Sequence, residues 1–367
     1  MDNNQNTKNI FESQRQEIDD IDNQLISLLT RRQDLASEVG KIKNEMGISI
    51  FNSAREEQVY NRLTSKSQTN LPKEAIRHIF SEIISASRSV QTPVNVAYLG
   101  PEATFSHQAC IYFFGHSSSF RAAETIEDVY SLVEKGVCQL GLVPIENSYE
   151  GSVNLTMDLF YKYDLKICAE IYLRIRHHLM SKSNKMDEIK KVYSHPMAIA
   201  QCRSWLKSNL GGGVPIYKVE STSLAAKMAS EEPVAAAVGS RLAALTYTLN
   251  MLAENIEDQP DNITRFLVIG RVDGERTGKD KTSVLFLLNH SPGSLYKALE
   301  PFYKNKINMT RIESRPMKVR NWEYLFYADL EGHRMDENLA EALKGMEKHC
   351  AILKILGSYP EGGMIWD

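Results

Sequence analysis

From Phe11 to Met46 apolar residues recur at steps of three or four: Phe11, Ile18, Ile21, Leu25, Leu28, Leu35, Val39, Ile42 and Met46. A stripe sustained over about five heptads commits the segment to one long helix, and that helix has to pack along a partner helix. Two stripe positions hold arginine instead, Arg15 and Arg32. Either these cations snorkel and fix register at the seam, or they line a buried site for an anion that a guanidinium can grip bidentately. At about 1.5 Å of rise per residue, Arg15 and Lys43 stand about 42 Å apart on the helix. If both serve one small ligand, Arg15 comes from a second subunit, which predicts a homodimer or higher homo-oligomer of antiparallel long helices. A later stripe, Ile76, Phe80 and Ile83, runs on into Ser87 and Gln91, polar groups at core positions. Together these residues describe a helical bundle with a polar pocket inside it.

Composition narrows the partners. The 367 residues are 43% hydrophobic and 24% charged, with a formal net charge of -3, so neither nucleic acid nor an anionic membrane is an expected partner. No apolar run approaches the roughly 18 residues of a membrane-spanning helix, and the start, MDNNQNTKNI, lacks the apolar core of a secretory signal. The cysteines, Cys110, Cys138, Cys168, Cys202 and Cys350, are scattered and form no CxxC pair. That pattern fits a reducing, cytoplasmic setting, without structural zinc or a disulfide framework. Neither a metal nor a cofactor is expected.

The chain changes grammar twice. Residues 8–91 read as helix. Residues 94–271 alternate short β-rich runs (VNVAYLG, QLGLVPI, KKVYSH, IYKVES, TRFLVIG) with helical stretches, which predicts an α/β domain. Residues 272–280, VDGERTGKD, read as a linker. Residues 281–360 then give TSVLFLLN, a helix from about Ser294, strands at MTRIESRP and WEYLFYADL, a helix over roughly 336–350 and a last strand KILGSYP: a βαββαβ, ferredoxin-like unit. Within the α/β segment, four strands run into small or hydroxyl-bearing loops, at 94–107, 142–148, 192–196 and 219–223. Taken singly, such loops are ordinary helix caps; four in one domain point to a shared anion-binding crevice. His177, His178 and His195 have no metal-like spacing to a carboxylate or thiol.

Arg15, Arg31-Arg32 with Lys43, Arg55-Glu56, and Ser87 with Gln91 resemble the all-helical chorismate mutases. The resemblance implies that Arg15 of a partner and Arg32 bind the substrate carboxylates, that Lys43 and Gln91 donate to the ether oxygen, and that Glu56 accepts from the ring hydroxyl. Arg55, Ser87 and Asn52 join the binding set; Asn52 stands where the family often has an acid. The reaction is pericyclic and needs no nucleophile, only a held conformer and stabilised charge on the ether oxygen.

GPEATFSHQA, VPIENS, YSHP with Gln201, ESTS and NITRF resemble prephenate dehydratase, in the family's order. That family's fold is two α/β lobes with the site between them. The implied residues are Thr264 as the hydroxyl donor at the leaving group, Arg265 on a carboxylate, and Glu146, Asn147, Gln201 and Glu220 as catalytic neighbours. Thr104, Ser106, Ser194 and Ser221 are implied in substrate binding. Met197 occupies a position where glutamine is frequent.

SPGSLYKALEPF and INMTRIESRP resemble the ACT domain attached to prephenate dehydratases. Gly293, Ser294, Leu295, Asn308, Glu313, Ser314 and Arg315 are thereby implied in a phenylalanine site where two such domains pair. A βαββαβ unit that only dimerises is the alternative. The expected whole is multidomain: an all-α bundle, a two-lobed α/β domain and an α+β ferredoxin-like sensor, in the order of the bifunctional mutase–dehydratases. Such an enzyme takes chorismate to prephenate and prephenate to phenylpyruvate, with phenylalanine as effector. Two rivals are an arogenate dehydratase and a two-lobed binding protein without chemistry.

Overall fold

The computed structural model describes residues 2–65, 71–210, 213–289, 291–316 and 324–365. α1 (Asp2–Glu45) carries the apolar stripe from Phe11 to Ile42, with Met46 just past its end, and α2 (Ser53–Ser65) and α3 (Lys73–Gln91) complete the helical segment. α1 and α3 pack closely at Gly40, where an added Cβ would stand 2.7 Å from Gln91 Cγ; only glycine permits that approach. Elsewhere the stripe lies open: Ile18 is 57%, Leu28 64% and Ile42 55% exposed. A contiguous apolar face of this length does not belong in water.

The α/β segment forms two lobes. The first contributes β1 (Asn95–Leu99), α4 (Phe105–Phe114), β2 (Ser119–Ala123), α5 (Ile126–Glu134), β3 (Leu140–Asn147), β4 (Gly151–Ser152), α6 (Asn154–Lys162) and β5 (Lys166–Arg174). The second contributes β6 (His178–Ser181), β7 (Lys191–Ser194), α7 (Pro196–Gln201), α8 (Arg203–Asn209), β8 (Ile216–Lys218), α9 (Thr222–Glu231), β9 (Ala235–Gly239), α10 (Arg241–Thr246) and β10 (Asn250–Ala253), in the sheet order β10-β6-β9-β7-β8. The chain then returns to the first lobe as β11 (Ile263–Gly270), inserted antiparallel between β3 and β5. The lobes are pinned together at the loop after β1, where Ser223 Oγ donates to Glu102 O and Ser240 Oγ to Ala103 O.

The last segment is β12 (Asp280–Leu288), α11 (Ser294–Lys304), β13 (Met309–Pro316), β14 (Tyr324–Glu331), α12 (Glu337–Glu347) and β15 (Cys350–Pro360), followed by β16 (Met364–Ile365). Its sheet runs β13-β14-β12-β15, while β16 adds to the first lobe beside β5. Trp322 and Glu323, at the head of the predicted strand WEYLFYADL, lie outside the described residues.

Strand alternation gives this sheet two different faces. Val284 and Phe286 pack with Phe302, Leu339 and Met346 under the helices. Leu285, Tyr327, Leu356 and Tyr359 instead join the core of the first lobe, with Val143, Ile167 and Leu267. The C-terminal unit is therefore a packed layer on the back of the lobe rather than a tethered appendage. The contact is tight enough that a Cβ at Gly357 would stand 2.3 Å from Ile167 O.

Candidate active sites

In the helical segment, α1 and α3 bring the predicted polar residues together. An Arg32 guanidinium nitrogen donates to Ser87 Oγ and to Ile83 O at 3.3 Å. Lys43 Nζ reaches Ile50 O at 3.2 Å, while Gln91 Nε2 bonds Ser87 O at 3.1 Å, leaving its second N–H for another acceptor. Asn52 caps α2, its Oδ1 accepting the Arg55 N–H at 2.9 Å; the Arg55 side chain is exposed. Arg15 is 62% exposed, pairs with Glu12 at 3.8 Å and stacks on Phe11, well away from this cluster along the helix.

One member was not anticipated. Arg88, 4% exposed, holds Glu56 Oε1 at 2.7 Å and donates to Phe114 O at 2.5 Å. Its sequence signal was available in principle, since a buried acid such as Glu56 requires a cation within reach, but several arginines could have supplied it. Burial pushes the Glu56 carboxyl up, with Arg88 pulling against it. Burial lowers the Lys43 ammonium, opposed chiefly by Glu56.

The two lobes enclose a cavity of about 310 Å³. Thr104, Ser106, Asn147, Gln201, Glu220, Ser221 and Thr264 all line it, together with Asn262, His177 and His195. Two ten-residue helices begin at its wall. Thr104 caps α4 by accepting the His107 N–H, and Ser221 caps α9 by accepting that of Leu224. Their first-turn N–H groups and dipoles favour an anion. Among the described residues that line the cavity, none is lysine or arginine.

Three expectations fail here. Arg265 does not reach the cavity. Thr264 and Phe266 line it, so on an extended strand Arg265 faces the other way. It is 5% exposed and sits in a buried charge cluster. Nε donates to Glu170 Oε2 at 2.8 Å, Nη1 to Asp329 Oδ2 at 2.6 Å and Nη2 to Tyr359 Oη at 3.2 Å. Lys281 Nζ completes the cluster at 2.8 Å from Glu170 Oε1. Burial works against the Arg265 charge, yet Tyr359, Asp329 and Glu170 hold its pKa above the ordinary value.

Glu146 behaves likewise. It lies opposite Arg265 in the β3–β11 register and faces Arg311 of β13, with Oε2 3.5 Å from Nε. Ser194 is wholly buried and donates to Val238 O at 3.0 Å, inside the second lobe's sheet. A bulge in the β3–β11 pairing keeps both Pro144 and Asn147 on the cavity side while Glu146 turns away.

In the C-terminal unit, Gly293 has φ 79° immediately before α11, a left-handed conformation suited to glycine. Ser294 Oγ donates to Asn289 O and Ser291 O, both at 2.6 Å, and Leu295 is 38% exposed. Asn308 Nδ2 donates to Glu331 Oε1 at 2.8 Å. β13 is an edge strand that divides its motif by alternation: Ile312 and Ser314 are exposed, while Arg311, Glu313 and Arg315 are half-buried. Arg315 stands 3.8 Å from Asp158 of α6.

Known families match all three segments. Residues 14–92 match chorismate mutase type II, residues 96–274 prephenate dehydratase and residues 282–347 the ACT domain. The bifunctional chorismate mutase/prephenate dehydratase of Aquifex aeolicus is 48% identical over 95% of this chain and 97% of its own length. Arogenate dehydratase/prephenate dehydratase 2 of Arabidopsis thaliana is 34% identical over 79% of this chain and 78% of its own. The solved prephenate dehydratase of Arthrobacter aurescens, in complex with L-Phe, covers 73% of this chain and 90% of its own at 34% identity, with a TM-score of 0.67. With three family segments in this order and near-complete coverage of the Aquifex relative, the chain belongs to the bifunctional chorismate mutase/prephenate dehydratases.

Proposed function

We propose that the two reactions of this bifunctional enzyme are divided between the α1–α3 cluster and the cleft between the lobes, and that the effector acts through the C-terminal sheet. The enzyme converts chorismate into prephenate and prephenate into phenylpyruvate, and the ACT domain fits feedback by phenylalanine. In the helical cluster, Arg32 and Lys43 supply fixed positive charge and Glu56 a fixed acceptor. That set can hold a dicarboxylate in its reactive conformer and stabilise charge on the ether oxygen without taking a proton. The open apolar stripe of α1 supports pairing with a second copy, whose Arg15 would complete the pocket. A cytoplasmic setting fits a chain in whose described residues no helix is long and apolar enough to cross a membrane.

The observation that carries the dehydratase assignment is the bond from Asn147 Nδ2 to Thr264 Oγ1 at 2.8 Å. Because the hydroxyl oxygen already accepts, its own proton is left to donate into the cavity, where the departing hydroxyl of prephenate needs one. The absence of a cation among the described lining residues suits the second half of the reaction. A carboxylate that must leave as carbon dioxide is better held by N–H groups than by an ion pair that stabilises it in place.

Thr264→Ala tests the assignment. Loss of one donor to developing negative charge should cut dehydratase turnover about a hundredfold to a thousandfold, while chorismate is still consumed and prephenate accumulates. Equal loss of both activities in a folded protein would sink the two-site reading. Arogenate offered alongside prephenate reads the substrate preference directly.

A further inference from the structure

Asn147 has its amide direction fixed from outside the cavity. Its Oδ1 accepts the backbone N–H groups of Tyr149 and Glu150, at 2.9 and 3.1 Å, in the turn after β3. The amide nitrogen must then point inward, and it donates to Thr264 Oγ1 and to Asn262 Oδ1, both at 2.8 Å. With its oxygen occupied, Asn262 turns its own nitrogen to Gln201 Oε1 at 2.9 Å. That oxygen takes a second partner, His177 Nε2, at 2.8 Å.

An imidazole nitrogen facing an amide oxygen must carry its proton. His177 is 2% exposed, its backbone is held by Glu257 and Ile256, and Phe105 packs edge-on against its ring. With its oxygen held from two sides, Gln201 keeps its Nε2 group for the cavity that it lines. Asn262 is itself 2% exposed and stands at the entrance to β11, two residues before Thr264.

We infer that Asn262 is a positioning residue of the dehydratase reaction, joining Asn147 to Gln201 so that the Thr264 hydroxyl and the Gln201 amide both present donors to the cleft. It makes no bond to the reacting atoms; it acts through the polarity of the chain. Each amide in the series has one donor end and one acceptor end, so reversing any one of them reverses or breaks the next. Two donors delivered to one cleft are what the expulsion of hydroxide beside a leaving carboxylate requires. The inference rests on the reading of this cleft as the dehydratase site.

Asn262→Asp, assayed at a pH where the new carboxyl is ionised, is the informative change, because the carboxylate keeps the acceptor for Asn147 and loses the donor for Gln201. Gln201 then turns its nitrogen toward the new carboxylate, withdraws it from the cleft and abandons His177. Dehydratase kcat should fall about tenfold to a hundredfold, with a much smaller change in KM for prephenate. In a Gln201→Ala background the same substitution should cost far less, since the group it positions is gone. Equal fractional losses in both backgrounds, an unchanged kcat or an effect on KM alone would overturn the inference.

Thermal unfolding and phenylalanine binding report whether the variant is folded. If Asn262→Asp does not fold, Asn262→Ser, whose hydroxyl can both accept and donate, should retain more turnover than Asn262→Ala, and equal activities would count against the chain. Thr264→Ala, assayed alongside, separates the two failures. An active Thr264→Ala would overturn the cleft assignment, whereas an inactive Thr264→Ala beside a fully active Asn262→Asp would overturn only the positioning role.

Discussion

Glu56 and Arg88 show how one buried pair can set a pH limit on catalysis. In the role proposed for Glu56 the carboxylate must be ionised to accept from a hydroxyl, and burial raises its pKa despite Arg88 at 2.7 Å. A carboxyl whose pKa is raised is active above that value and loses activity as pH falls through it. The acid limb of the mutase profile should therefore lie above the ordinary carboxylate range. Glu56→Gln should lower the plateau yet flatten that limb, as measured by chorismate consumption across pH at constant ionic strength. A limb that persists unchanged in Glu56→Gln would assign it to another group. The same residue-scale logic explains why Arg265 misled. An arginine beside the key threonine resembles a carboxylate ligand, but adjacent residues on a strand face opposite sides, and the side is set by what packs behind the sheet.

At the scale of elements, β3 and β11 act as a two-faced pair. Asn147 and Thr264 face the cleft, while Glu146 and Arg265 face the C-terminal sheet and meet Arg311 and Asp329. A displacement of β13 or β14 thus has a polar route to the strands that carry Asn147 and Thr264. Asp329→Asn would leave Arg265 and Lys281 sharing Glu170 as their only carboxylate in the cluster, with net positive charge uncompensated in a dry site. Breaking a buried pair in this way costs about 3–5 kcal/mol, to be read by denaturant unfolding. The phenylalanine concentration for half-inhibition of the dehydratase should also rise. An unchanged stability and an unchanged inhibition midpoint would show that the cluster neither holds nor couples the two layers.

On the scale of the whole molecule, the unburied stripe of α1 is the largest unfinished piece of chemistry. Arg15 and the Arg32–Lys43 cluster cannot meet within one straight helix, so a pocket that needs both must draw on two chains. Arg15→Ala and Lys43→Ala, each inactive as a mutase by itself, should recover part of the activity when mixed and allowed to exchange subunits. One pocket of each mixed dimer would then hold both native side chains. Verified exchange without any recovery would remove Arg15 from the site. Dehydratase turnover should be nearly unaffected in both variants, because neither Arg15 nor Lys43 lines the cleft.

Much of this protein could be read from residue order. Heptad spacing forces α1 because apolar side chains at that period form one face only on a helix. The β-rich runs at 140–145 and 264–270 became β3 and β11 because buried strands must be apolar on both sides. Motif order carried the family and its reactions, and Thr264, Asn147, Gln201 and Glu220 indeed meet in one cavity. What the sequence could not decide was which side of a strand faces which neighbour. Glu146, Ser194 and Arg265 sit inside the right motifs, yet packing of the C-terminal sheet against the first lobe and the ladder of the second lobe turned them from the cleft. Asn262, His177 and Arg88 were missed for the converse reason. Their partners lie tens of residues away in the chain, and hydrogen-bond direction and charge pairing are properties of distance in space, fixed only once the strands and helices have closed on one another.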